Sequence, residues 1–303
     1  MSEFLLKGLD GANPLGFLAA LGTLRTATAA WSTRSVKMRW AQRSGGWRPE
    51  LEISEVEPDE GAFLERMNAE LKKMEGHAAL TFASDLTLSA DAFRRELIAA
   101  QGSSTPADHV RAEFLTAFGS DVVSNEDGII SDTAFRTVSG AGNQHFLGFM
   151  QKLVRETDTG NLRDALFTTW RYRDVGMSMR WDPADDRRYA LRWNEPSGDP
   201  VMTVRGANRL AIEALPLFTT MPVGRRLETT GFTQKRGRGA LWSWPIWEVQ
   251  ACLDVVRSLL SMEELQDEVP DRNQLARRGV REVFRCQRIT QGKYRNFTPA
   301  VPV

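Results

Sequence analysis

The chain has 303 residues and a mass of 34.0 kDa, with 39 Lys/Arg against 39 Asp/Glu and a formal net charge of zero. That balance excludes a uniformly basic chromatin-type protein and an acidic-tail protein, and 42% hydrophobic with 26% charged residues excludes a disordered chain. No apolar run reaches the roughly 18 residues that a membrane span needs, so no membrane association is expected.

In chain order, Asn13-Pro14 predicts a helix start, with Asn as cap and Pro at the first helical position. The stripe Leu15, Leu18, Leu21, Leu24, with Gly16, Ala19, Ala20 and Gly22 between, predicts a helix packed closely against a neighbour. Residues 36–43 alternate apolar and polar, and Gly45-Gly46 turns them into 47–53. This reads as a β-hairpin whose Pro49 puts the second strand at a sheet edge. Phe63, Leu64, Met67, Leu71 and Met74 recur at helical spacing as far as Gly76.

Residues 79–88 carry an ambiguous pattern, closest to a strand; 91–101 and 107–118 read as two helices. A strand over 133–138, a glycine turn over 139–144, a helix through 146–156 and another over 161–170 follow. SMRW (178–181) and YALRW (189–193) read as a second hairpin around DPADDRR. The segment from Arg205-Gly206 is expected to be helical up to Pro216, with further helices near 246–261 and from Asn273 to Arg285. The pattern is α+β: mixed antiparallel hairpins packed with helices, and a helical C-terminal part. It divides into an acidic part, 1–160, and a basic part, 161–303, or forms one continuous domain.

The charge is unevenly placed. Residues 1–150 carry 14 Lys/Arg and 20 Asp/Glu, a net −6, and 151–303 carry the opposite +6. From Arg272 to Arg295 there are eight basic residues and one acid, and from Arg225 to Arg238 five and one. Read as a helix, Arg277, Arg278, Arg281, Arg285 and Arg288 mostly share one face, followed by Lys293, Tyr294, Arg295 and Phe297. Arginines with interleaved aromatics suit phosphate neutralisation and base stacking. The loop GFTQKRGRGA adds Lys235, Arg236 and Arg238; Trp242, Trp244 and Trp247 just after it would line the same groove or anchor its end. Each basic stretch also has a plain reading, as a solvated face paired with the acidic first half.

Ser139, Gly140, Gly142, Asn143, Gln144 and His145 form a strand-turn-helix junction whose backbone N–H groups would cradle a phosphate, or else a simple capped turn. His77, His109 and His145 lie on separate segments without ligand spacing, so no metal or cofactor is expected. Asp182, Asp185 and Asp186 would suit Mg²⁺, but Asp and Pro are also what a turn requires. No Walker A, HNH or GxSxG pattern occurs, so a non-catalytic role is expected. Two cysteines, Cys252 and Cys286, without CxxC point to a reducing cytoplasm. The opening residues lack a basic segment ahead of their apolar run, which argues against a secretory signal.

Three stretches carry a family likeness: LKGLDGANPLGFLAALGTLR; SGAGNQHFLGFMQKLV; and DDRRYALRW with RGANRLAIEALPLF and TTGF. They resemble proteins of type I-G (formerly I-U) CRISPR–Cas loci, the first two resembling parts of the large-subunit family. The likeness touches about half the chain in patches, and the chain is much shorter than a typical large subunit. The resemblance implies a subunit or accessory of an RNA-guided antiviral surveillance complex, with crRNA, DNA and other Cas subunits as partners. In such complexes base pairing reads sequence while Arg and Lys hold backbones. The resemblance marks no catalytic residue. Two other functions stay open: a metal-dependent nuclease using the Asp182/Asp185/Asp186 cluster, and a protein-only assembly scaffold.

Overall fold

The computed structural model describes residues 2–57, 59–102, 105–138, 145–185, 202–235, 239–291 and 294–303. β1 (Ser2–Leu5) leads into α1 (Pro14–Ala30), then β2 (Val36–Arg43) and β3 (Gly46–Ile53) form the expected hairpin. The three strands make an antiparallel sheet in the order β1-β3-β2. Pro49 therefore lies in the central strand rather than at an edge. It sits opposite Leu6, just past the end of β1; its carbonyl accepts from Leu6 N at 3.0 Å. The Leu6 carbonyl, which an ordinary residue 49 would have bonded, accepts from Leu9 N instead at 3.0 Å, so no ladder bond is orphaned.

α1 starts as the sequence predicts: Asn13 Oδ1 accepts from Gly16 N at 3.0 Å, and Pro14 needs no partner. Nearly every residue of α1 is buried, which makes it a central helix. α2 (Glu60–Lys72) is capped by Asp59 and buries Phe63, Leu64, Met67 and Leu71. Residues 79–88 form no strand; they open with the short α3 (Ala78–Thr81), whose first turn His77 caps through Nδ1 at 3.1 Å from Ala79 N. α4 (Ala90–Gln101) and α5 (Pro106–Phe118) follow as predicted, capped by Ser89 and Thr105.

β4 (Gly119–Ser124) and β5 (Ile130–Asp132) pair as a hairpin, and the strand expected over 133–138 is a turn and loop instead. α6 (Phe146–Glu156) and α7 (Thr159–Phe167) complete this half; Asp158 and Asn161 form a capping box that starts α7 two residues early. β6 (Asp174–Val175) pairs with β7 (Met202–Thr203); residues 178–181 are not a strand, and 189–193 lie outside the described residues.

α8 (Arg205–Ala214) is the second central helix and packs along α1. β8 (Thr220–Val223) and β9 (Arg226–Thr229) form a hairpin, and β10 (Phe232–Lys235) and β11 (Gly239–Trp247) form another. α9 (Leu253–Leu260) and α10 (Arg272–Arg277) precede β12 (Val280–Gln291), β13 (Tyr294–Phe297) and β14 (Val301–Pro302). The second sheet runs β10-β11-β12-β13, with β14 also on β12.

The fold is α+β, antiparallel sheets packed with helices, but its C-terminal part is mostly strand. Gly279 is the reason: at φ +81° it ends α10 in the left-handed conformation usual after a helix. Beyond it Val280, Val283, Phe284 and Ile289 favour the pleated sheet. Likewise the first residues expected as a helix near 246 belong to β11, whose Trp242, Trp244 and Ile246 alternate inward.

One core joins residues from both halves of the chain. Phe17 of α1 stacks on Trp40 of β2 at 5.8 Å and on Trp244 of β11 at 5.5 Å, tying both sheets to the central helix. Trp242, Trp244 and Trp247 are all fully buried. They anchor the second sheet and line no groove: Trp244 Nε1 donates to Gly11 O and Trp247 Nε1 to Met38 O, each at 2.8 Å. No helix among the described residues is long and apolar enough to cross a membrane.

Four helices also meet through charge. Arg25 of α1 bonds Glu113 of α5 and Glu213 of α8, each at 2.7 Å, and Arg257 of α9 bonds Glu113 at 2.8 Å. Burial by itself would raise the Glu113 pKa, but Arg25 and then Arg257 hold it below the ordinary 4.5. Stability from this pairing is fully present above that value and is lost as pH falls through the depressed one. Melting curves of wild type and Glu113→Gln between about pH 3 and 6 are expected to show a shallower acid decline in the variant.

Candidate functional site

The C-terminal arginines do not form one strip. Arg277, Arg278 and Arg281 are exposed around the end of α10, but Arg278 pairs with Glu264 at 2.9 Å and Arg281 lies 3.7 Å from Glu248. Arg272 pairs with Glu282 at 2.9 Å. Arg285 and Arg288 are three residues apart on a strand, hence on opposite faces, where a helix would have put them together.

Arg285 is buried and acts as a strap. Its Nε donates to Ser243 Oγ at 2.7 Å, and its Nη atoms to the carbonyls of Leu265 (2.9 Å), Asp267 (2.6 Å) and Glu268 (3.3 Å). Burial lowers its pKa. Four of its five N–H groups are spent on the protein, and the side chain is buried.

Arg288 and Arg295 instead converge on a residue that sequence reasoning missed, Arg136. Local packing explains how Arg136 is held. Phe135, fully buried, sits among Trp181, Phe218, Phe232 and Trp242. Trp181 Nε1 donates to its carbonyl at 2.9 Å, and Thr137 Oγ1 donates to Met179 O. Between these anchors, Arg136 bonds Asp132, Asp85 Oδ2 at 2.9 Å and Thr87 Oγ1 at 2.9 Å. Its carbonyl accepts from Arg288 Nη2 at 2.9 Å and Arg295 Nη1 at 3.3 Å.

Arg136 thus holds both carboxylates, while Arg288 and Arg295 bond its main-chain carbonyl and form no ion pair among the described residues. Burial works against the charge on Arg136, but Asp132 and Asp85 outweigh it and raise its pKa. Arg288 is less well compensated: burial, with the Arg295 guanidinium next in size, outweighs the pull of Asp132 and pushes it down to about 10. It stays charged at neutral pH at a cost to the fold, a cost relieved as pH rises through that value. The Nε atoms of Arg136 and Arg288 are buried without a hydrogen-bond partner.

The cluster opens on a cleft of about 300 Å³, lined by Asp132, Thr133, Thr229, Gln234, Arg288 and Arg295 among others. β10, which supplies Gln234, ends at half-buried Lys235. Arg236, Arg238 and Lys293 lie outside the described residues, as does the Tyr294 side chain. The expected phosphate turn meets the same cluster at its one described residue. His145 opens α6 without a side-chain cap bond, and its Nδ1, sealed from water and without a hydrogen-bond partner, lies 3.9 Å from Asp85 Oδ2. Ser139, Gly140, Gly142, Asn143 and Gln144 lie outside the described residues.

The aspartate cluster is engaged where it is described. Asp182 is buried and accepts from Asn13 Nδ2 at 3.1 Å, Tyr172 Oη at 3.0 Å and Ala184 N at 3.0 Å. Asp185 closes a 3₁₀ turn, Pro183–Asp185; its side chain and Asp186 lie outside the described residues. Among the described residues no group of three His, Cys, Asp or Glu is placed to hold a metal ion. The only sequence sign of Arg136 was a lone charge between Phe135 and Val138 in an otherwise apolar stretch, and spacing gave it no partner. The chain matches no protein-family model and no curated protein sequence.

Proposed function

We propose that this protein is a non-catalytic nucleic-acid-binding subunit that grips a phosphate backbone at the cleft lined by Arg288 and Arg295, with Arg136 behind it. The carrying observation is a pair of arginines on one wall: Arg288 and Arg295 both line the cleft and converge on the Arg136 carbonyl, and neither forms an ion pair among the described residues. The patches resembling type I-G CRISPR large subunits favour the same reading and make crRNA or target DNA the backbone in question, with other Cas subunits as neighbours. In that setting base pairing reads sequence and the cleft needs only phosphate contacts.

The experiment is binding of the full chain to fluorescein-labelled single-stranded RNA and DNA, followed by anisotropy across a salt series. Affinity is expected to fall linearly with log salt. Arg288→Met is expected to weaken binding by roughly tenfold and to reduce the salt slope by about one. The same variant is expected to melt at the wild-type temperature or above it, because it removes a desolvated charge repelled by Arg295. Absence of binding at about 50 mM salt, or an unchanged slope in Arg288→Met, would remove the proposal.

A further inference from the structure

A second cavity, about 160 Å³, lies between the end of α7 and β7, and its lining includes Trp170, Arg171, Tyr172 and Arg173. The two rings stand nearly perpendicular, at 88°, with centroids 6.3 Å apart, so they form a corner. Both rings are held from behind: Trp170 Nε1 donates to Ala165 O at 2.9 Å, and Tyr172 Oη to buried Asp182 at 3.0 Å. Asp182 in turn is fixed by Asn13, the cap of α1. Tyr172 also sits at φ +49°, a conformation that L side chains seldom adopt. Such strain, when over-determined by its surroundings, marks sites that are pre-organised.

Arg171 and Arg173 flank Tyr172 on the cavity wall. Both are exposed, and neither has an ion-pair partner among the described residues. That contrasts with Arg272, Arg278 and Arg281, each of which faces a glutamate. An aromatic corner flanked by two guanidinium groups with no ion pair among the described residues matches one planar base with a phosphate on either side.

We propose that this corner takes an unpaired base of a single-stranded polynucleotide, with Arg171 and Arg173 on the flanking phosphates; the proposal rests on the nucleic-acid reading above. The two sites share a segment. From Tyr172 the chain runs to Asp182, and the 3₁₀ turn after it packs against β13, the strand that carries Arg295. A strand leaving the corner therefore has a short path to the arginine cleft, and the cavity is sized for one base and no duplex.

The test is photo-cross-linking of the full chain to a single-stranded oligonucleotide carrying one 5-iodouracil, with the attachment site read by mass spectrometry. The cross-link is expected on Trp170 or Tyr172. Arg171→Ala with Arg173→Ala, both surface changes, is expected to reduce its yield and the affinity by roughly fivefold to tenfold. Arg288→Met is expected to lower affinity yet leave the attachment site where it was. If wild type binds the oligonucleotide but cross-links elsewhere, or the double variant binds as wild type, this corner is not a base site and the arginine cleft stands alone. If wild type binds no oligonucleotide at low salt, both proposals fall.

Discussion

Gly22→Ala is expected to lower the thermal midpoint by roughly 10 °C or to prevent folding, read by circular dichroism or calorimetry. A methyl group on Gly22 would stand 1.8 Å from the carbonyl oxygen of Leu210, so α1 and α8 would have to separate. The carbonyl is backbone and cannot swing aside as a side chain would. Separation would also loosen Arg25 from Glu213, two of the charged groups that cross this contact. α8 is pinned on its other side as well, where a methyl on Gly206 would stand 2.2 Å from Asn161 O of α7. With neither side able to yield, overpacking should exceed the usual 1–3 kcal/mol, about 3 or more. A midpoint within about 2 °C of wild type would mean that the two helices can part cheaply.

Arg136→Met is the second large effect: a loss of roughly 3–5 kcal/mol in urea unfolding together with loss of oligonucleotide binding. Asp85 and Asp132 are left without their guanidinium. Asp85 is buried and keeps only the Leu86 N–H at 2.8 Å and the distant His145. Adding Asp85→Asn to Arg136→Met is expected to restore part of the stability, since it removes the stranded charge, but none of the binding. Arg136 and Arg288 therefore differ in kind: Arg136 is buried behind the cleft and Arg288 is on its wall. The first is compensated by two carboxylates and holds the segment 133–138 in place. The second forms no ion pair among the described residues, so its removal is expected to spare stability while weakening the anion site.

The parts of the fold that were legible in the sequence are those governed by neighbours in the chain. Asn13-Pro14 announced its helix because a cap acts on N–H groups two or three residues away, and Asp59, Ser89 and Thr105 cap theirs in the same local way. The β2–β3 hairpin was legible because alternation and a glycine turn lie within a few residues. Gly279 was a stop signal of the same local kind, and reading the arginine spacing through it turned a strand into a helix. That single misreading placed Arg277 to Arg288 on one face.

The fold class, most of the helices and the excess of arginine near the C-terminus follow from the order of residues alone. Tertiary structure alone decided what each arginine does. Arg285 became a strap on three carbonyls and Ser243, Arg278 an ion-pair partner, and Arg288 and Arg295 joined Arg136 across 152 and 159 residues of chain. A guanidinium has the same charge in every one of these roles. Whether it is spent on its own fold or left for a ligand depends on which carbonyls and carboxylates the folded chain brings within about 3 Å, and the order of residues does not record that distance.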